Sequence, residues 1–146
     1  FKNIHLGISP VFQVYNIFNS ADLIEYIEGV KKKYDRNIHI DWLLNTHPVI
    51  LKAEILPYGI REKAQNKLYA YYKTLDRTSL DNMTRTSTEK ILNYLTESKE
   101  HNDAKIKSFL NYTNSLDRFR KQSFKTSCAE LYQALYDFNP NYFENE

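Results

Sequence analysis

Residues 1–44 carry a strand-like pattern, a helical pattern and a second strand-like pattern, in that order. Residues 4–8 alternate apolar with small or polar side chains, and residues 11–15 continue in β-branched and aromatic ones, with Pro10 marking a bulge or a division into two short strands. Apolar residues recur at helical spacing over 23–34, and residues 38–44 alternate again. A strand-helix-strand unit of this length normally pairs its strands in parallel with a right-handed crossover, so the sequence predicts an α/β fold.

Helical patterns dominate the chain after Pro57. Apolar residues recur at helical spacing in four further stretches, at 60–75, 91–95, 106–119 and 131–138. Thr86 and Ser127 head sequences typical of capping boxes, which predicts that helices begin there. The polar stretch 74–88 is typical of a flexible connector.

Two parallel strands do not form a stable sheet by themselves. The chain begins with Phe1 rather than Met and enters a strand-like pattern almost at once. We therefore expect the missing partners upstream of Phe1, in another chain, or among the following helices in an unusual α+β arrangement.

Composition limits the classes of function. The 146 residues suit one domain, and 20 Lys and Arg against 18 Asp and Glu leave a net charge of only +2, which does not favour a nucleic-acid partner. The single cysteine, Cys128, excludes an internal disulfide and an iron-sulfur or zinc site built from this chain's thiolates. No apolar run is long enough to cross a membrane. These features predict a soluble, cytoplasmic protein, and the lysines at 31–33 suit a solvated helix end.

Three groups of residues share their order and spacing with a known family. They are a strand ending in Asn with a Leu-rich helix (9–19 and 21–26), a strand with a His-Pro, Leu and Leu-Pro continuation (42–48, 51 and 55–57), and a closing Leu-Asp-x-x-Arg-x-x-Ser-Phe pattern (109–110, 116–124 and 130–131). Together they resemble the C-terminal part of twitch-domain-containing radical S-adenosylmethionine (SAM) proteins. The chain departs from that family in lacking a Cys-x3-Cys-x2-Cys loop, and in having Cys128 and Ala129 where the closing pattern favours Pro-Glu-Leu.

The resemblance implies a particular fold and function. Residues 1–57 would form a late strand-helix-strand (βαβ) unit of a partial TIM-like barrel, and residues 58–146 a mostly helical C-terminal cap over the substrate. The chain would be the C-terminal segment of a radical SAM enzyme and would line the cleft for S-adenosylmethionine. The full-length protein would also hold a [4Fe-4S] cluster. Since the cluster loop is missing here, this segment alone is not expected to be catalytic.

By the same resemblance, the candidate cofactor-binding residues are Asn16, Gln13 and Asn45, at or after the carboxyl ends of the two predicted strands. Ligands of parallel α/β sheets bind beyond those ends, which agrees with this placement. The alternative for Asn16 is a turn residue that starts the loop to the helix. No catalytic residue and no metal ligand is predicted. The sheet would be completed by the upstream part of the same polypeptide or by a partner chain.

The residues also allow two other functions. The chain could be a small helical protein-protein interaction module without catalytic activity, docking a partner through its aromatic helices and an exposed strand edge at 38–44. A small nucleic-acid-binding module is the third possibility.

Several single features could carry chemistry, and each has a structural alternative. His39 and Asp41 share a strand face close to His47, but a hydrogen-bonded pair is more common than a metal or acid-base site. The tyrosines at 71–72 suit helix packing better than base stacking. Cys128 suits a buried thiol better than a reactive one.

Overall fold

The computed structural model describes residues 6–76 and 80–143. The fold is mixed α/β, 67% helical, with two short parallel two-stranded ladders. The strands are β1 (Leu6–Ile8), β2 (Val11–Phe12), β3 (Ile38–Ile40) and β4 (Leu43–Leu44). The helices are α1 (Ser20–Tyr34), α2 (Tyr58–Tyr72), α3 (Asn82–Thr96), α4 (Asp103–Arg120), α5 (Phe124–Ser127) and α6 (Ala129–Phe138). Short 3-10 helices lie at Val14–Asn16, Val49–Leu51, Ala53–Ile55 and Pro140–Phe143.

The two ladders follow one another with a single register. In the first, β1 pairs with β3 in parallel and Leu6 faces Ile38. In the second, β2 pairs with β4 in parallel and Val11 faces Leu43. The Leu43 N–H donates to the carbonyl of Pro10 at 3.0 Å, so the pairing continues across the break that this proline makes. The predicted parallel pairing and the division at Pro10 are confirmed.

The ends of several predicted elements are wrong. Residues 14–16 form a 3-10 turn instead of continuing the strand. Helix α3 begins at Asn82, with the Asp81 carboxylate accepting the Thr84 N–H at 2.8 Å, so Thr86 is not a cap. The stretch 74–88, predicted as a connector, is therefore helical from residue 82, and its residues 77–79 lie outside the described part of the chain. Ser127 ends α5 instead of capping α6.

The core joins the ladders to the helices. Phe12 of β2 packs edge-on against Trp42, with ring centroids 6.2 Å apart. Phe109 of α4 packs edge-on against Phe124 and contacts the Tyr15 ring at a tilted angle of 56°. Buried apolar side chains from β2, β3 and the helices form one hydrophobic cluster. Tyr72 lies in that core with its hydroxyl donating to Glu89, which agrees with packing as the role predicted for the tyrosine pair.

Candidate functional site

Helix α3 covers the outer edge of β3. The Ile40 N–H donates to the Thr84 hydroxyl at 2.8 Å, and the Ser87 hydroxyl donates to the Ile40 carbonyl at 2.8 Å. Both side chains are buried, with Thr84 only 1% exposed. They satisfy the two backbone groups that a further strand would otherwise bind. The prediction of an exposed, partner-docking edge at 38–44 is therefore wrong at Ile40, because two hydroxyls occupy it.

In the described part of the chain, no strand pairs with the outer edge of β1 and β2. Carbonyls of Ile8, Pro10 and Phe12 accept N–H groups from the paired strand at 2.9–3.0 Å. Because backbone groups alternate in direction along a strand, those of Gly7 and Ser9 point to the opposite side. Gly7 and Ser9 are exposed, and their backbone groups meet no partner among residues 6–76 and 80–143.

Asn16 closes this open edge at its end. Its side-chain nitrogen donates to the Val11 carbonyl at 2.8 Å, and its side-chain oxygen accepts the Gln13 N–H at 2.9 Å. Both contacts lie within five residues of Asn16 in sequence. The Asn16 side chain therefore stabilises the turn after β2. These contacts are the ones expected if Asn16 is a turn residue that starts the loop to the helix.

The three predicted cofactor residues do lie together at the carboxyl end of the ladder. Gln13 follows β2 directly, and the Asn45 N–H donates to the Phe12 carbonyl at 3.0 Å. The Asn45 side chain, however, donates to the carbonyl of Pro48 at 3.2 Å. The side chains of Asn16 and Asn45 are thus engaged by their own loops.

One face of the ladder is exposed and carries two apolar side chains and a histidine. Val11 and Leu43, 44% and 45% exposed, lie opposite one another on it. His39 lies opposite Gly7, and its ring occupies the space above that glycine, since a Cβ there would clash with the His39 imidazole. Gly7 therefore allows the histidine to fold over the strand.

The surroundings of the histidines and of Cys128 bear on whether these side chains could bind a metal ion or react. Among the described residues, no group of three or more His, Cys, Asp or Glu side chains could hold a metal ion. The Cys128 thiol points to the Tyr15 carbonyl, with sulfur and oxygen 3.8 Å apart. Burial, and secondarily the charge of Asp117, raise the pKa of this thiol. These surroundings favour an unreactive thiol over a nucleophile.

Arg61 is the polar residue that sequence reasoning missed. Its guanidinium is buried, only 1% of the residue is exposed, and burial lowers its pKa. It donates to four backbone carbonyls, those of Leu56, Leu95, Ser98 and Glu100, at 2.6–3.2 Å. The spacing of the residues in α2 could have indicated that Arg61 is buried, because it shares the buried face of this helix with Ala64 and Leu68. It ties the start of α2 to the end of α3.

The lysines at 31–33 lie in the last turn of α1, as predicted. Lys31 pairs with Glu28 at 2.9 Å, and Lys32 and Lys33 are exposed. Within residues 6–76 and 80–143, every helix is too short or too polar to span a lipid bilayer.

Comparison with known proteins found no relatives. No family model matches the sequence, and neither a curated protein nor a solved structure matches it significantly.

Proposed function

We propose that this chain is a strand-accepting interaction module, whose β1 and β2 bind an extended segment of another stretch of polypeptide. The observation that carries this proposal is the difference between the two edges of the ladder. Thr84 and Ser87 occupy the edge of β3 at Ile40, while on the other side the backbone groups of Gly7 and Ser9 have no partner within residues 6–76 and 80–143. Donors and acceptors spaced every second residue are matched by the backbone of another strand.

The outer edge of β1 and β2 also limits the length and the side chains of the strand that it can bind. Asn16 takes the Val11 carbonyl, so an added strand pairs over only about five residues, a normal strand length. Leu6, Val11 and Leu43 are each 44–45% exposed beside it. Burying such side chains stabilises the contact, so we expect apolar residues at alternate positions of the added strand. The added strand would come from the upstream part of the same polypeptide or from a partner chain.

A lysine at the edge should prevent strand pairing. An open edge can pair with the same edge of a second copy, so we expect the purified chain to dimerise reversibly above roughly 100 µM. Val11→Lys places a charge at the edge without removing a ladder hydrogen bond and should abolish the dimer. Sedimentation equilibrium measures both.

The matched control is Tyr26→Lys, at an exposed aromatic position on α1. It should leave the dimer unchanged. A chain that stays monomeric up to about 1 mM, where edge pairing is expected, would contradict the proposal. The same holds if Val11→Lys and Tyr26→Lys behave alike.

A more specific form of this proposal follows from the family resemblance. The module would be the last strand pair of a partial TIM-like barrel in a radical SAM enzyme, with the remaining strands added on the β1 side. What supports this form is the order of the three resembling segments and the parallel ladder that is free to grow on that side. The single Cys128 does not fit a cluster site, so cluster ligands would come from elsewhere.

The natural reading frame upstream of the Phe1 codon tests this form. A Cys-x3-Cys-x2-Cys loop within about 100–200 residues, roughly one further domain, would support it. A stop codon close upstream, together with an intact native mass equal to that of this chain, would contradict it and leave the interaction module.

A further inference from the structure

A cationic cleft lies at the corner between α4 and α5. It has a volume of about 300 Å³, and Arg118, Lys121 and Lys125 line it together with polar side chains and the rings of Phe124 and Tyr132. This cleft is separate from the strand edge described above. Its chemistry is that of an anion site, because three cations surround one opening.

Asp117 fixes the shape of this corner. Its backbone carbonyl accepts the N–H groups of Lys121 and Gln122, which ends α4 with Lys121 in a left-handed conformation at φ 54°. Its carboxylate accepts the Phe124 N–H at 2.5 Å, where α5 begins. The sharp turn brings the cation at 121 next to those at 118 and 125.

Among the described residues, the positive charge of the cleft is only partly balanced, because one carboxylate lines it beside three cations. Within the ranges 6–76 and 80–143, Arg118, Lys121 and Lys125 form no ion pair. The carboxylate of Asp117, which accepts the Phe124 N–H, offsets one of the three positive charges and leaves the other two without a counter-charge. The Lys125 ammonium lies 5.5 Å from the centre of the Tyr132 ring, which holds it at the cleft. A bound anion would offset this charge.

A second cavity links the cleft to the ladder. It has a volume of about 160 Å³, shares Asp117, Gln122 and Phe124 with the cleft, and extends to Tyr15. Tyr15 lies in the 3-10 turn directly after β2, and its hydroxyl contacts that of Thr113 at 2.8 Å. Ligands of parallel α/β folds bind beyond the carboxyl ends of the strands, where this cavity lies.

We propose that the cleft binds the phosphate group of a small molecule. The cations supply charge-assisted hydrogen bonds, and the amides of Asn114 and Gln122 and the hydroxyl of Ser123 supply neutral donors. The cleft and its neighbouring cavity leave space for a small organic group beside Phe124 and Tyr132. A long polyanion is not favoured, because the whole chain carries a net charge of only +2.

Inorganic phosphate is the probe for this site. Titrated to about 50 mM at constant ionic strength, it should shift the backbone NMR signals of Gln122, Ser123 and Lys125 saturably, with an affinity in the millimolar range. Arg118→Gln with Lys125→Gln should weaken this binding at least about tenfold, since two of three charged donors are lost. Lys32→Gln with Lys33→Gln removes the same charge from an exposed helix end and should leave the affinity unchanged.

Three results would overturn the proposal. The first is no saturable shift at the three signals in the unaltered chain. The second is an equal loss of affinity in both double variants, because phosphate would then be responding to overall charge. The third is tight, strongly salt-dependent binding of an oligothymidylate without binding of inorganic phosphate, which would assign the corner to nucleic acid. Matching melting temperatures of the two variants show that both are folded.

Discussion

Replacing Arg61 with Met is expected to destabilise the fold by about 3–6 kcal/mol, since two buried hydrogen bonds to a charged group are lost at about 1.5–3 kcal/mol each, a large share of a small domain's stability. The side chain donates to four backbone carbonyls, and those of Leu56 and Leu95 are buried. Met fills a similar volume but donates nothing, so buried acceptors lose their partners. Urea unfolding followed by circular dichroism measures the loss.

Two further variants separate the hydrogen bonds of Arg61 from its charge. Arg61→Lys keeps the charge but cannot reproduce the planar fork, so an intermediate loss is expected. Arg118→Met, on an exposed part of α4, should change stability by less than about 0.5 kcal/mol in phosphate-free buffer. A loss below about 1 kcal/mol for Arg61→Met would show that water replaces the guanidinium without difficulty.

Removing the hydroxyls that cover β3 should also destabilise the protein strongly. Thr84→Val leaves the Ile40 N–H without its acceptor, and Ser87→Ala leaves the Ile40 carbonyl without its donor. Each unsatisfied buried group costs about 1–3 kcal/mol, so the double variant should lose about 2–5 kcal/mol. Chemical denaturation of the two single variants and of the double variant measures these losses.

Thr88 provides a matched control on the same helix. It is fully buried, yet among the described residues its hydroxyl has no hydrogen-bond partner. Thr88→Val is therefore expected to be neutral or slightly stabilising, since a buried unpaired hydroxyl is removed. If Thr84→Val and Thr88→Val had the same effect, the hydroxyl of Thr84 would not be what secures the edge of β3.

The pattern of the first 44 residues was enough to predict parallel pairing, because alternation and helical spacing are strong local signals. The same reasoning missed the first turns of α3. There the face of the helix that meets β3 is polar, with Thr84 and Ser87 bonded to backbone groups of the strand. A helix that packs against a strand edge with hydroxyls has the composition of a loop, which is why the connector prediction for 74–88 is wrong at residues 82–88.

The position of the candidate site could be predicted better than its contacts. Gln13, Asn16 and Asn45 lie at the carboxyl end of the ladder, as their place after each strand indicates. Whether an asparagine faces a ligand or its own loop depends on backbone groups a few residues away, and such local bonds are common for this side chain. The grouping of Arg118, Lys121 and Lys125 depends on the sharp turn after α4, which periodicity does not reveal.

Strand acceptance requires that, among the described residues, the ladder be closed at Ile40 and open on the other side at Gly7 and Ser9. Residue-resolved amide hydrogen exchange of the dilute monomer tests it most directly. We expect slow exchange at Ile8, Phe12 and Ile40, and fast exchange at Gly7 and Ser9. Protection of Gly7 and Ser9 equal to that of Ile8, or rapid exchange at Ile40, would contradict it.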